Sequence, residues 1–171
     1  HTPNELILIN DRSFLTWSSK RQQMCSVTLS SKNSREGKSR AEVVEHSASF
    51  KTLKRFVGIN HSGAPLLLVH TKNDTRILEY NVGREESSTL WIDPCRLVET
   101  AMTPDGQILL LLSNERSTEL YLLSPETGIC THAGSTSLLH LFGKPVVTSA
   151  NQLIVCDWKR QSIIAIDLFS L

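Results

Sequence analysis

The sequence predicts an all-β fold built from repeated antiparallel units, and three observations support this fold class. Apolar runs alternate with short polar turns along the chain, and no long stretch has the periodicity of an amphipathic helix. The triplet Pro104-Asp105-Gly106 lies between two apolar runs, as in a β-hairpin, because proline restricts φ and glycine accepts positive φ. A pattern of strand, polar turn and strand recurs four times. The 171 residues are sufficient for one domain.

The recurring hairpin is the central element of each unit. Its four copies are SFLTWSSKRQQMCSVTL (13–29), PLLLVHTKNDTRILEYNV (65–82), QILLLLSNERSTELYLLS (107–124) and QLIVCDWKRQSIIAIDL (152–168). An apolar strand precedes each copy, in the order ELILIN, KRFVGIN, LVETAM and KPVVTS. These strands start at residues 5, 54, 97 and 144, so the units begin 49, 43 and 47 residues apart.

A fourth strand follows three of the hairpins, at EVVEHSA (42–48), STLWID (88–93) and GICTHA (128–133). Four strands that recur every 40–50 residues or so are typical of β-propeller blades. The sequence therefore predicts one propeller domain over residues 1–171, with blades at about 5–48, 54–93, 97–133 and 144–171. The fourth blade ends on its third strand. This leaves two alternatives: a larger ring that a longer parent protein completes, or an unusually small closed ring.

The core is predicted to lie in the central strands of the third and fourth blades, because their apolar runs are flanked by turn signals. In the third blade this assignment buries Ile108, Leu110 and Leu112. In the fourth blade it buries Ile154, Val155 and Ile164.

The fourth copy carries a family resemblance. The segment NQLIVCDWKRQSIIAIDL (151–168) resembles an NHL repeat, with an apolar strand that ends near aspartate, a basic polar turn and a second apolar strand. The segment PDGQILLLL (104–112) also resembles a turn of WD40 blades, but no copy contains the Gly-His and Trp-Asp marks of that family. The NHL likeness implies a propeller of the type found at the C-terminus of tripartite-motif (RING, B-box, coiled-coil) ubiquitin ligases, commonly with six blades.

The resemblance implies a recognition function without catalysis. Domains of this type select protein substrates or RNA, and ligase activity would come from an upstream RING. Oligomerisation would involve the parent's upstream regions. The expected function is therefore a substrate- or RNA-recognition module of a larger protein. A WD40-type interaction scaffold is the first alternative, and a propeller hydrolase is the second.

A basic surface is the predicted partner-binding site. In propellers the turn between the second and third strands and the linker between blades lie on one rim. Cations on such a rim contact phosphates, and an aromatic ring beside them can stack on an unpaired base of single-stranded RNA. The structural alternative to a binding site is that surface hairpin turns are usually charged and that Lys-Arg-Gln recurs because the repeats share an ancestor. The predicted site residues are Lys20, Arg21, Lys51, Lys72, Arg96, Arg116, Trp158, Lys159 and Arg160.

Catalytic and metal-binding motifs are absent from the sequence, which contains no G-x-S-x-G, H-E-x-x-H, P-loop or G-x-G-x-x-G pattern. Cys130 and His132 share a strand face, but two ligands do not complete a tetrahedral metal site. Glu5 and Glu99 are the main inward carboxylates available to a hydrolase. No catalytic residue, metal ligand or cofactor is predicted.

The composition predicts a cytoplasmic protein that does not span a membrane. No apolar run approaches the roughly 18 residues of a membrane-spanning segment. Cys25, Cys95, Cys130 and Cys156 form no C-x-x-C pair, which favours a reducing compartment. Two glycosylation sequons, at residues 60–62 and 73–75, keep secretion as an alternative.

Overall fold

The computed structural model describes residues 5–18, 20–30, 40–46, 52–94, 97–113, 116–137, 141–157 and 160–168. These residues form fifteen β-strands and no helix, so the predicted all-β class is confirmed. The described residues contain no helix that could span a lipid bilayer. The strands form four antiparallel sheets in chain order, which is the blade arrangement of a β-propeller.

The first two sheets each have four strands in sequential order. The first sheet contains β1 (Glu5–Asn10), β2 (Ser13–Ser18), β3 (Gln23–Ser30) and β4 (Arg40–Glu45). The second sheet contains β5 (Leu53–Ile59), β6 (Pro65–His70), β7 (Thr75–Asn81) and β8 (Glu86–Asp93).

The third sheet also has four strands, whereas the described part of the fourth sheet has three. The third sheet contains β9 (Leu97–Met102), β10 (Ile108–Ser113), β11 (Thr118–Leu123) and β12 (Cys130–Thr136). The fourth sheet contains β13 (Leu141–Val147), β14 (Gln152–Asp157) and β15 (Ser162–Asp167).

The chain divides into two compact units, and each has its own apolar cluster. The first unit comprises residues 1–70 and 77–89, and the second comprises residues 71–76 and 90–171. In the first unit, side chains of the first and second sheets pack together; the buried members are Leu15, Trp17, Met24, Phe56, Leu67, Val69, Leu78 and Tyr80. In the second unit, the third and fourth sheets pack together; the buried members are Leu109, Leu111, Leu120, Leu153 and Val155.

The predicted core residues are buried in the third sheet and only partly in the fourth. Ile108, Leu110 and Leu112 are almost fully buried, as expected for a strand that is apolar on both faces. In the fourth sheet Val155 is 3% exposed. The prediction was wrong for Ile154 and Ile164, which are half-buried, because β14 buries alternate residues and β15 lies at the edge of the described sheet.

The turn between the first and second strands has one geometry in three sheets. It starts at Asn60, Thr103 and Thr148, and each of these side chains accepts a hydrogen bond from the backbone N–H four residues later, at 2.8, 2.9 and 3.2 Å. The residue three positions after each start has positive φ, and these residues are Gly63, Gly106 and Asn151. The turn therefore needs a hydrogen-bond acceptor first and a left-handed residue fourth.

Gly63→Ala is expected to lower the free energy of unfolding by about 1 kcal/mol, because an L-residue in the left-handed region is strained. A Cβ at Gly63 would meet no atom within 4 Å, so the loss reports the backbone conformation at φ 83° alone. Urea unfolding monitored by circular dichroism measures it. Asn151→Gly, which relieves φ 56°, is the matched control and is expected to raise stability. Losses in both variants would contradict the shared turn geometry.

Candidate functional site

Five of the nine predicted basic-surface residues are described, and all five are exposed in turns between second and third strands. The described members are Lys20, Arg21, Lys72, Arg116 and Arg160; the members outside the described residues are Lys51, Arg96, Trp158 and Lys159. Lys20 and Arg21 belong to the first unit, and the other three belong to the second unit. The recognition role of these residues stays a prediction.

The repeated Lys-Arg-Gln triplet has a structural explanation in the β2–β3 and β14–β15 turns. Gln22 and Gln161, the last residues of the two triplets, both have positive φ, at 52° and 51°. In each turn the arginine N–H donates to the side chain three residues earlier, from Arg21 to Ser18 and from Arg160 to Asp157, at 3.4 and 3.0 Å. The described residues of the two turns therefore share a left-handed glutamine and the same arginine N–H contact.

Neighbouring carboxylates offset part of the positive charge in these turns. The Arg21 Nη1 atom lies 3.8 Å from Glu45 Oε1, and the Arg160 Nε atom lies 3.6 Å from Asp157 Oδ2. Both arginines remain largely exposed, so these ion pairs are weak. The net charge of the predicted surface is nevertheless lower than a count of its cations indicates.

The β6–β7 turn contains an ion pair that the sequence interpretation missed. The Arg76 guanidinium donates to both carboxylate oxygens of Asp74, at 2.8 and 2.7 Å. The hydrogen bonds from Arg76 hold the pKa of Asp74 below its usual value. Asp74 and Arg76 are two residues apart across the start of β7. This spacing could have indicated the ion pair from the sequence, because alternate residues of a strand project to the same face.

A groove of about 740 Å³ lies within the first unit, between the first and second sheets. Its volume is within the usual range of small-ligand sites. On one side it is lined by the β1–β2 turn region and by β3. On the other side it is lined by the β5–β6 turn, the end of β7 and the start of β8. The groove thus lies at the opposite strand ends from the predicted β2–β3 turn, and the sequence interpretation did not find it.

The groove lining is polar and largely uncharged. Hydroxyl groups come from both sheets, and the charged members are Glu79, Arg84 and Glu86. The carboxylate of Glu79 accepts a hydrogen bond from Asn60 Nδ2 at 2.9 Å. Other lining side chains make no hydrogen bond or ion pair within the described part of the chain and can meet a ligand. These side chains are Ser26, Arg84, Glu86, Ser87 and Ser88.

A buried aromatic group supports the groove from below. Tyr80 lines the groove but is 0% exposed, and its ring meets the ring of His46 edge to face at a centroid distance of 6.3 Å. His46 Nδ1 lies 3.3 Å from Glu85 Oε1, which connects the end of β4 with the β7–β8 turn. Burial, together with the negative charge of Glu85, raises the pKa of Tyr80 to about 12. These contacts fix the floor of the groove.

The inward carboxylate Glu5, considered for a hydrolase site, has a structural role. It accepts a hydrogen bond from the backbone N–H of Phe56. Burial lowers the pKa of the neighbouring Arg55 guanidinium, and the negative charge of Glu5 partly offsets this effect. In the third sheet His132 lies 3.0 Å from Glu119 Oε2, so its ring nitrogen already has a partner. Within the described ranges, no three His, Cys, Asp or Glu side chains are grouped as metal ligands would be.

Comparisons with known proteins identify the fold but no family. No protein-family model matches the chain, and no curated protein matches it. The fold is similar to a chain in the crystal structure of a nidogen/laminin complex, with a TM-score of 0.68, 15% identity and coverage of 99% of this chain. It is also similar to a protein from Lactobacillus plantarum, with a TM-score of 0.51, 9% identity and 96% coverage. This chain spans 60% and 55% of the lengths of those two chains.

Proposed function

We propose that this chain is a non-catalytic protein-recognition module of a larger protein. The observation that carries the proposal is the groove of the first unit, which presents serine hydroxyls, one guanidinium and one carboxylate without partners in the described residues. An extended polypeptide offers complementary backbone N–H and C=O groups along its length. Its side chains can reach Arg84 in the β7–β8 turn and Glu86, two residues later, at the start of β8.

The charge of the groove favours a protein segment over RNA. Two carboxylates, Glu79 and Glu86, line it with one guanidinium, Arg84, so the phosphate backbone of a nucleic acid would be repelled. Single-stranded RNA also needs aromatic faces on which its bases stack, and the aromatic lining residue Tyr80 is buried. The basic turns could still contact phosphates, but carboxylates pair with Arg21 and Arg160.

The specific form of the proposal is an NHL-like domain of a tripartite-motif ubiquitin ligase in the cytoplasm. It rests on the resemblance of residues 151–168 to an NHL repeat. The matching left-handed φ values of Gln22 and Gln161 support the repeat relationship within the chain. A WD40-type scaffold would use the same groove without a ligase partner. The sequence upstream of residue 1 would distinguish the two, because a tripartite-motif parent encodes RING, B-box and coiled-coil segments there.

The proposed binding of a protein partner has a parallel in one structural neighbour, and this parallel is an analogy only. That neighbour was crystallised in a complex of nidogen and laminin. Because propeller folds support many functions, this agreement adds less than the chemistry of the groove.

Arg84→Glu and Ser87→Trp are expected to reduce peptide binding at least about tenfold, a loss of roughly 1.4 kcal/mol. Arg84→Glu reverses the groove's guanidinium charge, and Ser87→Trp places a bulky ring in the space that a peptide would occupy. Both residues are exposed, so the fold should tolerate the changes. Peptides selected from a displayed library against the unaltered chain provide the probes, and isothermal titration calorimetry measures their affinities.

Arg160→Glu is the matched control, because it makes the same charge reversal in a β14–β15 turn of the other unit. Its affinity for the selected peptides is expected to be unchanged. Equal losses for Arg84→Glu and Arg160→Glu would contradict a specific groove. Binding of randomised single-stranded RNA that weakens in the Arg160→Glu variant, with unchanged peptide affinity for Arg84→Glu, would support RNA recognition by the basic turns instead.

A further inference from the structure

The strand β8 forms an edge of the second sheet. In the described residues it pairs with β7 on one side and with no strand on the other. Its first four residues, 86–89, belong to the first unit and are all exposed. The free edge of a strand carries backbone N–H and C=O groups that can pair with a further strand. Residues 86–89 therefore present such an edge within the unit that contains the groove.

The groove runs along the backbone of this edge. Three consecutive residues of β8 line it, namely Glu86, Ser87 and Ser88. Successive side chains of a strand project to opposite faces, so three lining residues in a row bring the backbone of the strand, and not one face alone, to the groove. The turn before β8 is held in place, because the N–H of Arg84 donates to Asn81 Oδ1 at 3.0 Å.

The last strands of the first and third sheets have features that discourage strand addition, and β8 has fewer of them. Of the six residues of β4, three are charged: Arg40, Glu42 and Glu45. The register of β12 shifts opposite Leu120 and Tyr121, as at a β-bulge. Charges and bulges are usual protections of a sheet edge. In contrast, β8 carries the uncharged run SSTLWI between its first and last residues.

We propose that an extended segment of the partner protein binds by strand addition, pairing with residues 86–89 of β8 and filling the groove beside them. The inference rests on the proposed function, which supplies the protein partner. In this binding mode the backbone hydrogen bonds provide affinity, and alternate side chains of the added strand provide specificity.

The groove lining indicates which side chains the added strand carries. The wall from the first sheet presents Ser26 and Thr28, alternate residues of β3, and the hydroxyl oxygens of Thr28 and Ser13 lie 3.3 Å apart. Serine and threonine side chains suit this wall, because hydroxyl groups both donate and accept hydrogen bonds. Arg84 favours one acidic residue at the start of the edge, and Glu86 disfavours a second. The partner segment is therefore rich in serine or threonine and carries one carboxylate.

N-methylation of the peptide backbone tests strand addition. The probes are peptides selected from the displayed library, resynthesised with one N-methyl group at each position in turn, and calorimetry measures their affinities. In an added strand only alternate residues direct their N–H groups to the edge. We expect losses of about tenfold or more at every second position, with little change at the positions between them.

The pattern of these losses separates the binding mode from the proposed function. Losses without a two-residue period would overturn strand addition, whereas the proposed function would stand if Arg84→Glu still weakened peptide binding. A chain that bound no peptide would overturn both.

Amide hydrogen exchange followed by nuclear magnetic resonance locates the paired edge. Unpaired N–H groups exchange quickly and paired ones slowly, so the bound peptide should slow exchange about tenfold or more at alternate amides within residues 86–89. The edge of β15 is the internal control, because residues 162–166 are also uncharged and β15 pairs only with β14 in the described part of the chain. Protection of β15 in place of β8 would overturn the proposal.

Arg84→Gln tests the expected carboxylate of the partner. Replacing the acidic residue of a selected peptide by its amide should weaken binding to the wild-type chain about fivefold or more, and to Arg84→Gln less than about twofold, because the ion pair is already lost. Arg160→Gln is the matched control, since it removes a guanidinium from the other unit and should keep the full effect of the peptide change. Equal effects on the wild-type chain and Arg84→Gln would contradict this pairing.

Discussion

Leu110→Asp is expected to abolish cooperative folding of the chain. Leu110 is 0% exposed in the middle of β10, opposite Thr100 of β9 and Tyr121 of β11. Its strand neighbours Leu109 and Leu111 project to the other face and are also buried, so β10 has no solvent-exposed side to which a charge could turn. Burial of an unpaired carboxylate costs several kcal/mol, comparable with the 5–15 kcal/mol that stabilise an ordinary domain.

Thermal unfolding monitored by circular dichroism measures this effect. The wild-type chain should show a sigmoidal transition, and Leu110→Asp should show none or be insoluble. Ile129→Asp is the matched control, because it introduces the same charge at an exposed apolar position and should change stability by less than about 0.5 kcal/mol. Equal losses in the two variants would show that β10 does not lie in the core.

Alkaline pH is expected to destabilise the chain through Tyr80. Burial, together with the charge of Glu85, raises the pKa of Tyr80 to about 12, whereas an unfolded tyrosine has a pKa of about 10. Because the folded pKa is the higher one, the stabilisation is complete below about pH 10 and is lost as the pH rises towards 12. The difference corresponds to about 2–3 kcal/mol.

Urea unfolding at neutral pH and at a pH between the two values measures the loss. Tyr80→Phe is the control, because phenylalanine keeps the buried ring and has no ionisable hydroxyl. The pKa values of the Cys25 and Cys130 thiols are also raised, mainly by burial, and they contribute to the pH dependence of both proteins. The tyrosine effect is therefore the difference between wild type and Tyr80→Phe, and identical pH slopes would contradict it.

The fold class could be predicted from the sequence because strand structure depends on local patterns. Short apolar runs, turn residues and a recurrence of 40–50 residues predicted the antiparallel units, and the structure contains them. The turn at Pro104-Asp105-Gly106 was also predictable, since the left-handed φ of Gly106 is a local requirement. The sequence located the charged turns of Arg21 and Arg160 equally well.

The groove could not be predicted from the sequence, because its lining residues come from two sheets and are far apart in the chain. Ser26 and Ser87 are ordinary strand residues until the packing of the first and second sheets brings them to one groove. The partial exposure of Ile154 was likewise unpredictable. The sequence pattern predicts a core position for an apolar strand residue whether or not another sheet covers its face. Local residue patterns determined the strands and turns of this protein. Packing alone decided which faces are covered and which side chains meet, because these depend on contacts between distant segments.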